Sequence, residues 1–145
     1  VELIADGVHL HPALVHQVAV TAGSDRVALI TDAMAAAGMS DGPYTLGALT
    51  VDVVDAVARI AGTDTIAGST ATMDRVFRFA VENSGLSRDE AIAQAVRQAS
   101  INPARALGLP VDGLVAGAPA DLVVLDAELA VAGVLRRGDW VVEPA

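Results

Sequence analysis

The stretch "VELIADGVHLHPALVHQVAVTAGSDRVALITDA", residues 1–33, decides the fold class. Two compact apolar runs, 1–7 and 26–33, each end at or just before an acidic residue. Between them, residues 12–23 space their apolar side chains loosely as a helix does and close on Gly23, a residue that favours helix C-termini. Apolar strands joined by a helix are typical of parallel strands buried on both faces. The stretch therefore predicts an α/β fold.

Candidate functional residues follow the two predicted strands, where α/β folds place their sites. Asp32 ends the second apolar run, and a carboxylate there needs a hydrogen bond, a charged partner or a metal ion because burying it alone is costly. Its alternative role is to cap a following helix. His9 follows Gly7, and its alternative is a solvated loop position. The residues alone leave both roles open.

The remaining histidines are weaker candidates. Rings at His9 and His11 could lie on one side of an extended segment as metal ligands, but Pro12 and the lack of a third ligand argue against a metal site. We interpret His11 and His16 as structural or peripheral.

Residues 44–60 alternate apolar and polar side chains, which predicts a β-hairpin with a turn near Asp55. The tail is also β-rich, and its pattern predicts short strands within 120–126, 129–135 and 140–142. Such a tail is expected to form a layer of its own.

Helices are predicted between the hairpin and the tail. Thr70 is expected to cap a helix that ends at Gly85, and residues 87–90, "SRDE", form a capping box for the next one. Asn102 is expected to cap a short helix that closes at Gly108.

A small-residue segment precedes the first of these helices, and its residues are Ile66, Ala67, Gly68 and Ser69. Small residues at a helix start suit backbone N–H contacts with a ligand oxygen, although a plain helix start explains them equally well.

Composition excludes several partners. The formal charge is −9 without a cluster of Lys or Arg, so we expect no nucleic acid partner. The absence of cysteine excludes disulfides and thiolate metal sites. No apolar run reaches 18 residues and no signal-like N-terminus is found, so we expect a cytoplasmic protein without a membrane partner.

Several motifs together resemble the N-acetylglucosamine-6-phosphate deacetylase family of the amidohydrolase superfamily. They are "IADGVHLHP" (4–12), "ALITDAMAAAG" (28–38), "GTDTIAGSTATMDRVFR" (62–78), "ASINPARALGL" (99–109) and "GLVAGAPADLVVLD" (113–126). The last motif is common across amidohydrolases, whereas "DGVH" followed by "TDAMAAAG" is particular to the deacetylases.

The resemblance implies a (β/α)₈ TIM-type barrel and a divalent metal ion, zinc or iron, whose bound water attacks the acetamide carbonyl of an amino sugar phosphate. Asp32 matches the aspartate that takes the proton from the water and delivers it to the leaving amine, and it is also a possible metal ligand. His9 matches the histidine that hydrogen-bonds the substrate. Residues 66–69 would line the acetyl pocket through their backbone.

Departures from the family pattern bear on the extent of the chain. The family's other metal ligands and its phosphate-binding arginine lie on earlier strands that do not precede Val1, and a whole barrel takes about 250 residues. We therefore expect the C-terminal portion of the enzyme. Residues 1–112 would hold the last two barrel strands, their helices and a β-hairpin insertion near 44–60, and residues 113–145 the closing strands of a small β-sandwich. Ala56 stands where the family usually has a turn glycine, which indicates another turn type.

The 145-residue chain is expected to be inactive alone, and the complete enzyme is expected to be a homodimer. Two alternatives remain. One is another amidohydrolase, dihydroorotase-like or imidazolonepropionase-like, which would share the tail but not "TDAMAAAG" or the hairpin. The other is a non-catalytic remnant, which a metal-binding assay would distinguish.

Overall fold

The computed structural model describes residues 1–111 and 113–144. Its first elements are strand β1 (Glu2–Ile4), helix α1 (Pro12–Ala22) and strand β2 (Ala28–Ile30). The two strands pair in parallel with Leu3 opposite Leu29, and both of these side chains are buried. A single 3₁₀ turn, Ser24–Arg26, joins α1 to β2. The predicted strand–helix–strand unit and the α/β class are confirmed.

A third extended segment lies beside the continuation of β2. Ala33 and Ser69 form a parallel β-bridge, in which Ser69 N donates to Asp32 O at 2.8 Å and Met34 N donates to Ser69 O at 2.9 Å. The parallel segments therefore lie side by side in the order β1, β2 and 66–70. The sequence pattern predicted only the first two of these, because the third is a single bridge rather than an apolar run.

Residues 42–60 form a three-stranded antiparallel sheet rather than a simple hairpin. Its strands are β3 (Gly42–Leu46), β4 (Leu49–Val54) and β5 (Val57–Ile60). The predicted turn near Asp55 joins β4 to β5, and a second turn at Gly47 adds β3.

The turn between β4 and β5 has the left-handed backbone of a type I′ turn. Asp55 and Ala56 have φ values of 51° and 59°, and the Asp41 carboxylate accepts hydrogen bonds from their amides at 2.6 and 3.1 Å. Ala56 thus adopts the left-handed conformation that glycine favours, and this conformation is strained for alanine. The hydrogen bonds that the Asp41 carboxylate accepts hold the turn in this conformation.

The helices that follow are α2 (Met73–Glu82), α3 (Arg88–Val96) and α4 (Asn102–Ala106). The prediction that Thr70 caps α2 was wrong: the cap is Thr72, because the Thr70 hydroxyl donates to the backbone oxygen of Ala56 instead. The capping box of α3 is confirmed, with the Ser87 amide donating to Glu90.

The prediction that Asn102 is a helix cap was wrong, because a π-helical turn, Arg97–Ile101, continues directly into α4. The Asn102 side chain is buried and donates to Ser24 O and Val27 O, each at 2.7 Å. It therefore ties the helical segment to the entrance of β2 rather than capping a helix.

Two apolar clusters hold these elements together. The first lies between the parallel strands and the helices and comprises Leu3, Ala5, Val15, Val27, Leu29, Ala71, Val76 and Ala80. The second joins the three-stranded sheet to the segments after β2 and around residue 67 and comprises Met34, Ala36, Val51, Val53, Ala58 and Ala67. The second cluster fixes the loops that carry the candidate site.

The predicted β-rich tail is confirmed as an antiparallel sheet of β6 (Leu122–Leu125), β7 (Val131–Arg136) and β8 (Asp139–Val142). The chain divides into two compact units, Val1–Pro103 and Ala104–Ala145. The expected boundary between 112 and 113 stays a prediction, since Asp112 lies outside the described residues, as does Ala145 at the end of the second expected domain. None of the described helices is long and apolar enough to cross a membrane.

Candidate functional site

A buried carboxylate lies directly after β1. The Asp6 side chain is only 3% exposed. Its Oδ1 accepts hydrogen bonds from the amides of Val8 and His9, both at 2.9 Å. Its Oδ2 lies 2.8 Å from His9 Nδ1 and accepts a hydrogen bond of 2.7 Å from the Ser69 hydroxyl. Both carboxylate oxygens are therefore fully engaged.

The net effect of these contacts is to stabilise the charge on Asp6. Burial raises the pKa of the Asp6 carboxyl, but the hydrogen bonds from the His9 amide, the Ser69 hydroxyl, the Val8 amide and the His9 ring together lower it below its usual value. Asp6 is thus ionised at neutral pH although little of its side chain is exposed.

Asp32 lies at the carboxyl end of the neighbouring strand, and its residue is exposed. It has a left-handed backbone, with φ of 51°. Residues 35–38, which follow it, form turns rather than a helix, so Asp32 does not serve as a helix cap. Its backbone oxygen is held by Ser69 N, while no described residue hydrogen-bonds its carboxylate. A fixed backbone with a solvent-facing carboxylate suits proton exchange with a small molecule.

The segment 66–69 lies against Asp32. Ala67 and Ser69 are 4% and 3% exposed, whereas Ile66 is 37% exposed. Ala67 N already donates to Ala58 O at 3.0 Å and Ser69 N to Asp32 O at 2.8 Å. Backbone contacts from this segment to a ligand would therefore come from its other amides.

Gly68 allows the close approach of this segment to Asp32. Its φ is +72°, and a Cβ atom at this position would lie 3.0 Å from Asp32 O and 3.3 Å from Met34 Cβ. Only glycine combines this backbone conformation with this spacing.

The structure separates the other two histidines from this cluster. His11 caps α1, where its Nδ1 accepts a hydrogen bond from Ala13 N at 3.2 Å. His16 Nδ1 hydrogen-bonds the backbone oxygen of Ser84, at the end of α2. Both contacts are structural, as the sequence indicated.

The described part of the chain contains no group of three or more His, Asp or Glu side chains that could hold a metal ion. Asp32 is the member of the predicted site that the sequence named as a possible ligand, and a single carboxylate is not a metal site. The described residues alone therefore do not fit a catalytic metal ion.

Asp6 is the site residue that the sequence reasoning missed. The first apolar run ends at an aspartate just as the second does, and His9 follows three residues later. That parallel with Asp32 was a usable signal. The partner that makes Asp6 informative, Ser69, lies 63 positions away and could not be read from local spacing.

Comparison with known proteins shows which family this chain resembles. The amidohydrolase family model matches residues 1–141. The N-acetyl-D-glucosamine-6-phosphate deacetylase of Mycobacterium smegmatis, solved as an aspartate-to-alanine mutant in complex with N-acetyl-D-glucosamine-6-phosphate, is 64% identical with a TM-score of 0.94. That match covers 97% of this chain and 37% of that one.

Two curated relatives are also similar. N-acetylglucosamine-6-phosphate deacetylase of Bos taurus is 40% identical over 147 residues, which cover 99% of this chain and 35% of the relative. The putative N-acetylgalactosamine-6-phosphate deacetylase of Escherichia coli K12 is 42% identical over 141 residues, which cover 94% of this chain and 80% of the relative. The chain spans about a third of the length of the first of these relatives. None of these relatives is named as a dihydroorotase or an imidazolonepropionase. Because the family model spans nearly all of the sequence, the chain belongs to the amidohydrolase family.

Proposed function

We propose that this chain carries the proton-transfer and substrate-contact part of a deacetylase that converts N-acetylglucosamine 6-phosphate to glucosamine 6-phosphate and acetate. The observation that carries the proposal is the juxtaposition at adjacent strand ends. The backbone oxygen of exposed Asp32 accepts a hydrogen bond from the Ser69 amide, and the Ser69 hydroxyl donates one to Asp6, which also contacts the His9 ring. The names of the 40–64% identical relatives support the choice of reaction.

In this proposal Asp32 is the general base and then the general acid. Its carboxylate takes a proton from the water that adds to the acetamide carbonyl carbon. The same proton then goes to the nitrogen as the C–N bond breaks, which releases acetate and the free amine. An exposed carboxylate that no described residue hydrogen-bonds is available for both transfers.

His9 contacts the substrate beside Asp32. Its ring is 20% exposed, so one edge remains accessible although Nδ1 is held by Asp6. A hydrogen bond from Nε2 of the protonated ring to the carbonyl oxygen would stabilise the negative charge that develops when water adds.

The acetyl group is proposed to lie along Ile66, Ala67, Gly68 and Ser69. Since Ala67 N and Ser69 N are already bonded within the protein, the contacts are expected from the amides of Ile66 and Gly68. The apolar side chain of Ile66 is exposed and can cover the acetyl methyl group.

The barrel and the metal ion belong to the same proposal. The parallel order β1, β2 and 66–70 is compatible with consecutive strands of a (β/α)₈ barrel. A divalent ion, zinc or iron, would activate water in the complete site, to which the described residues could add Asp32 but no ligand set of their own. We also propose a cytoplasmic homodimer for the complete enzyme.

A chimera tests this function. Residues 1–145 would replace the matching segment of the Mycobacterium smegmatis enzyme, and acetate release from N-acetylglucosamine 6-phosphate would be measured. Asp32→Asn should lower kcat about 10²–10⁴-fold with little change in KM, because the amide keeps the shape but cannot take the proton. His9→Asn should change both parameters more mildly.

Asp64→Asn is the matched control, because Asp64 is an exposed aspartate in a turn outside the cluster. An inactive chimera, or an Asp32→Asn chimera with near wild-type kcat, would contradict the proposal. N-acetylgalactosamine 6-phosphate serves as the second substrate, since the Escherichia coli relative is named for it. Preference for that epimer would move the proposal to the galactosamine series while keeping the chemistry.

A further inference from the structure

The contact between Asp6 and His9 constrains which ring nitrogen carries hydrogen. His9 Nδ1 lies 2.8 Å from Asp6 Oδ2, and the Asp6 side chain is 3% exposed. The other contacts of this carboxylate are donors, namely two backbone amides and the Ser69 hydroxyl. A carboxylate surrounded in this way is the acceptor in every one of its bonds.

The hydrogen between Asp6 and His9 therefore belongs to the ring. An ionised carboxylate has no hydrogen to give, and the lowered pKa of Asp6 keeps it ionised at neutral pH. Nδ1 carries a hydrogen in the Nδ1–H neutral tautomer and in the imidazolium form, so the contact is preserved in both. It is lost in the Nε2–H tautomer, which would place two acceptors against each other.

We propose that Asp6 is a positioning residue that keeps hydrogen on Nδ1 of His9 and leaves Nε2 as the ring atom that meets the substrate. This inference rests on the proposed function for the identity of the substrate. It restricts which hydrogen bonds the His9 ring can make with the substrate. A neutral His9 accepts a hydrogen bond from a sugar hydroxyl or the acetamide N–H, and His9 donates to the acetyl carbonyl only as an imidazolium.

Ser69 relates this histidine to Asp32. Its hydroxyl donates to Asp6 at 2.7 Å and its amide donates to Asp32 O at 2.8 Å, so one buried residue spans the two strand ends. The Ser69 hydroxyl also accepts a hydrogen bond from Ala71 N at 3.0 Å, which orients it toward the carboxylate. The ring of His9 and the backbone of Asp32 are thereby set relative to each other.

The test is the tautomer of each histidine in the 145-residue chain labelled with ¹⁵N-histidine. Nitrogen NMR distinguishes protonated from unprotonated ring nitrogens, and solid-state spectra do so whatever the size of the assembly. The pH would be about 8.5, above the usual imidazole pKa of about 6.5. We expect Nδ1–H for His9 and His16, whose Nδ1 atoms face oxygen acceptors, and Nε2–H for His11, whose Nδ1 accepts a hydrogen bond.

Replacement of Asp6 then isolates its effect. In Asp6→Ala, and in Asp6→Leu, which fills the same space, His9 should change to the Nε2–H tautomer that free histidine prefers. His16 reports the fold, because its partner Ser84 lies 68 positions away, and it should keep Nδ1–H. Asp64→Ala, at an exposed aspartate, should change no histidine.

An Nε2–H tautomer of His9 in the wild-type chain would overturn the proposal, whether or not either variant folds. Retention of Nδ1–H by His9 in a folded Asp6 variant would also overturn it, because the tautomer would then have another cause. The readout does not depend on turnover. An inactive chimera would thus contradict the proposed function without affecting this result, and an unexpected tautomer would leave the assignment of the reaction in place.

Discussion

Substitution of Gly68 by alanine should destabilise the fold at the point where the candidate site is assembled. The Cβ atom would meet Asp32 O at 3.0 Å and Met34 Cβ at 3.3 Å, and φ of +72° is unfavourable for alanine. The backbone conformation alone costs about 1–2 kcal/mol, and overpacking against a fixed neighbour adds about 1–3 kcal/mol. We expect the free energy of unfolding to fall by about 2–5 kcal/mol.

Gly62→Ala is the matched control for this substitution. Gly62 has nearly the same φ, +75°, but nothing lies within 4 Å of its added Cβ. It should therefore show only the backbone cost, about 1–2 kcal/mol. Urea denaturation followed by circular dichroism measures both free energies of unfolding. Acetate release by the chimera should fall more for Gly68→Ala than for Gly62→Ala, because Asp32 is displaced only in the former. Equal destabilisation by the two substitutions would refute the close approach of residue 68 to Asp32.

Three other substitutions test contacts described above. The pKa of the Asp6 carboxyl is lower in the native state than in the unfolded state. Ionised Asp6 therefore stabilises the fold above the unfolded pKa of about 3.9, and this stabilisation is lost as the pH falls through the lower native value. In Asp6→Asn, the free energy of unfolding from urea titrations should therefore fall less steeply as the pH is lowered. Ala56→Gly should raise the midpoint of urea unfolding by relieving φ of 59°, a gain of about 1 kcal/mol, and an unchanged midpoint would contradict the left-handed turn. Asn102→Ala should lower the free energy of unfolding by about 2–3 kcal/mol, since one buried and one partly buried carbonyl lose their donor, whereas a loss below about 0.5 kcal/mol would show that water replaces it.

Local patterns in the sequence predicted most of the regular structure. The strand–helix–strand unit follows from apolar runs and Gly23, and the capping box of α3 follows from Ser87 and Glu90, which lie three positions apart. The β-rich tail follows from the short strand patterns within 120–126, 129–135 and 140–142. In each case the residues that determine the structure lie within a few positions of one another.

The errors arose where a side chain has a distant partner. Thr70 resembles a helix cap, but its hydroxyl bonds to the backbone oxygen of Ala56 after the hairpin turn folds back. Asn102 resembles another cap, but its amide reaches Ser24 and Val27. Such contacts depend on tertiary structure and leave no periodic signal in the sequence.

The candidate site was predicted in part for the same reason. His9 and Asp32 follow apolar strands and could be selected by position, although their proposed roles came from the family resemblance. Asp6 was not selected, because its importance depends on burial and on Ser69, both properties of the folded chain. The position of Asp32 outside any helix cap also became visible only in the structure.

The parallel bridge between Ala33 and Ser69 has a consequence for the order of folding events. All of β3, β4 and β5 lie between its two partners, so the bridge closes a long loop and its entropic cost rises with the length of flexible chain that it encloses. The antiparallel sheet closes through short turns and can form early, which shortens that loop before the bridge appears. We therefore expect the strand ends that bear Asp32 and Ser69 to come together late in folding and to open first, ahead of β4, in hydrogen exchange.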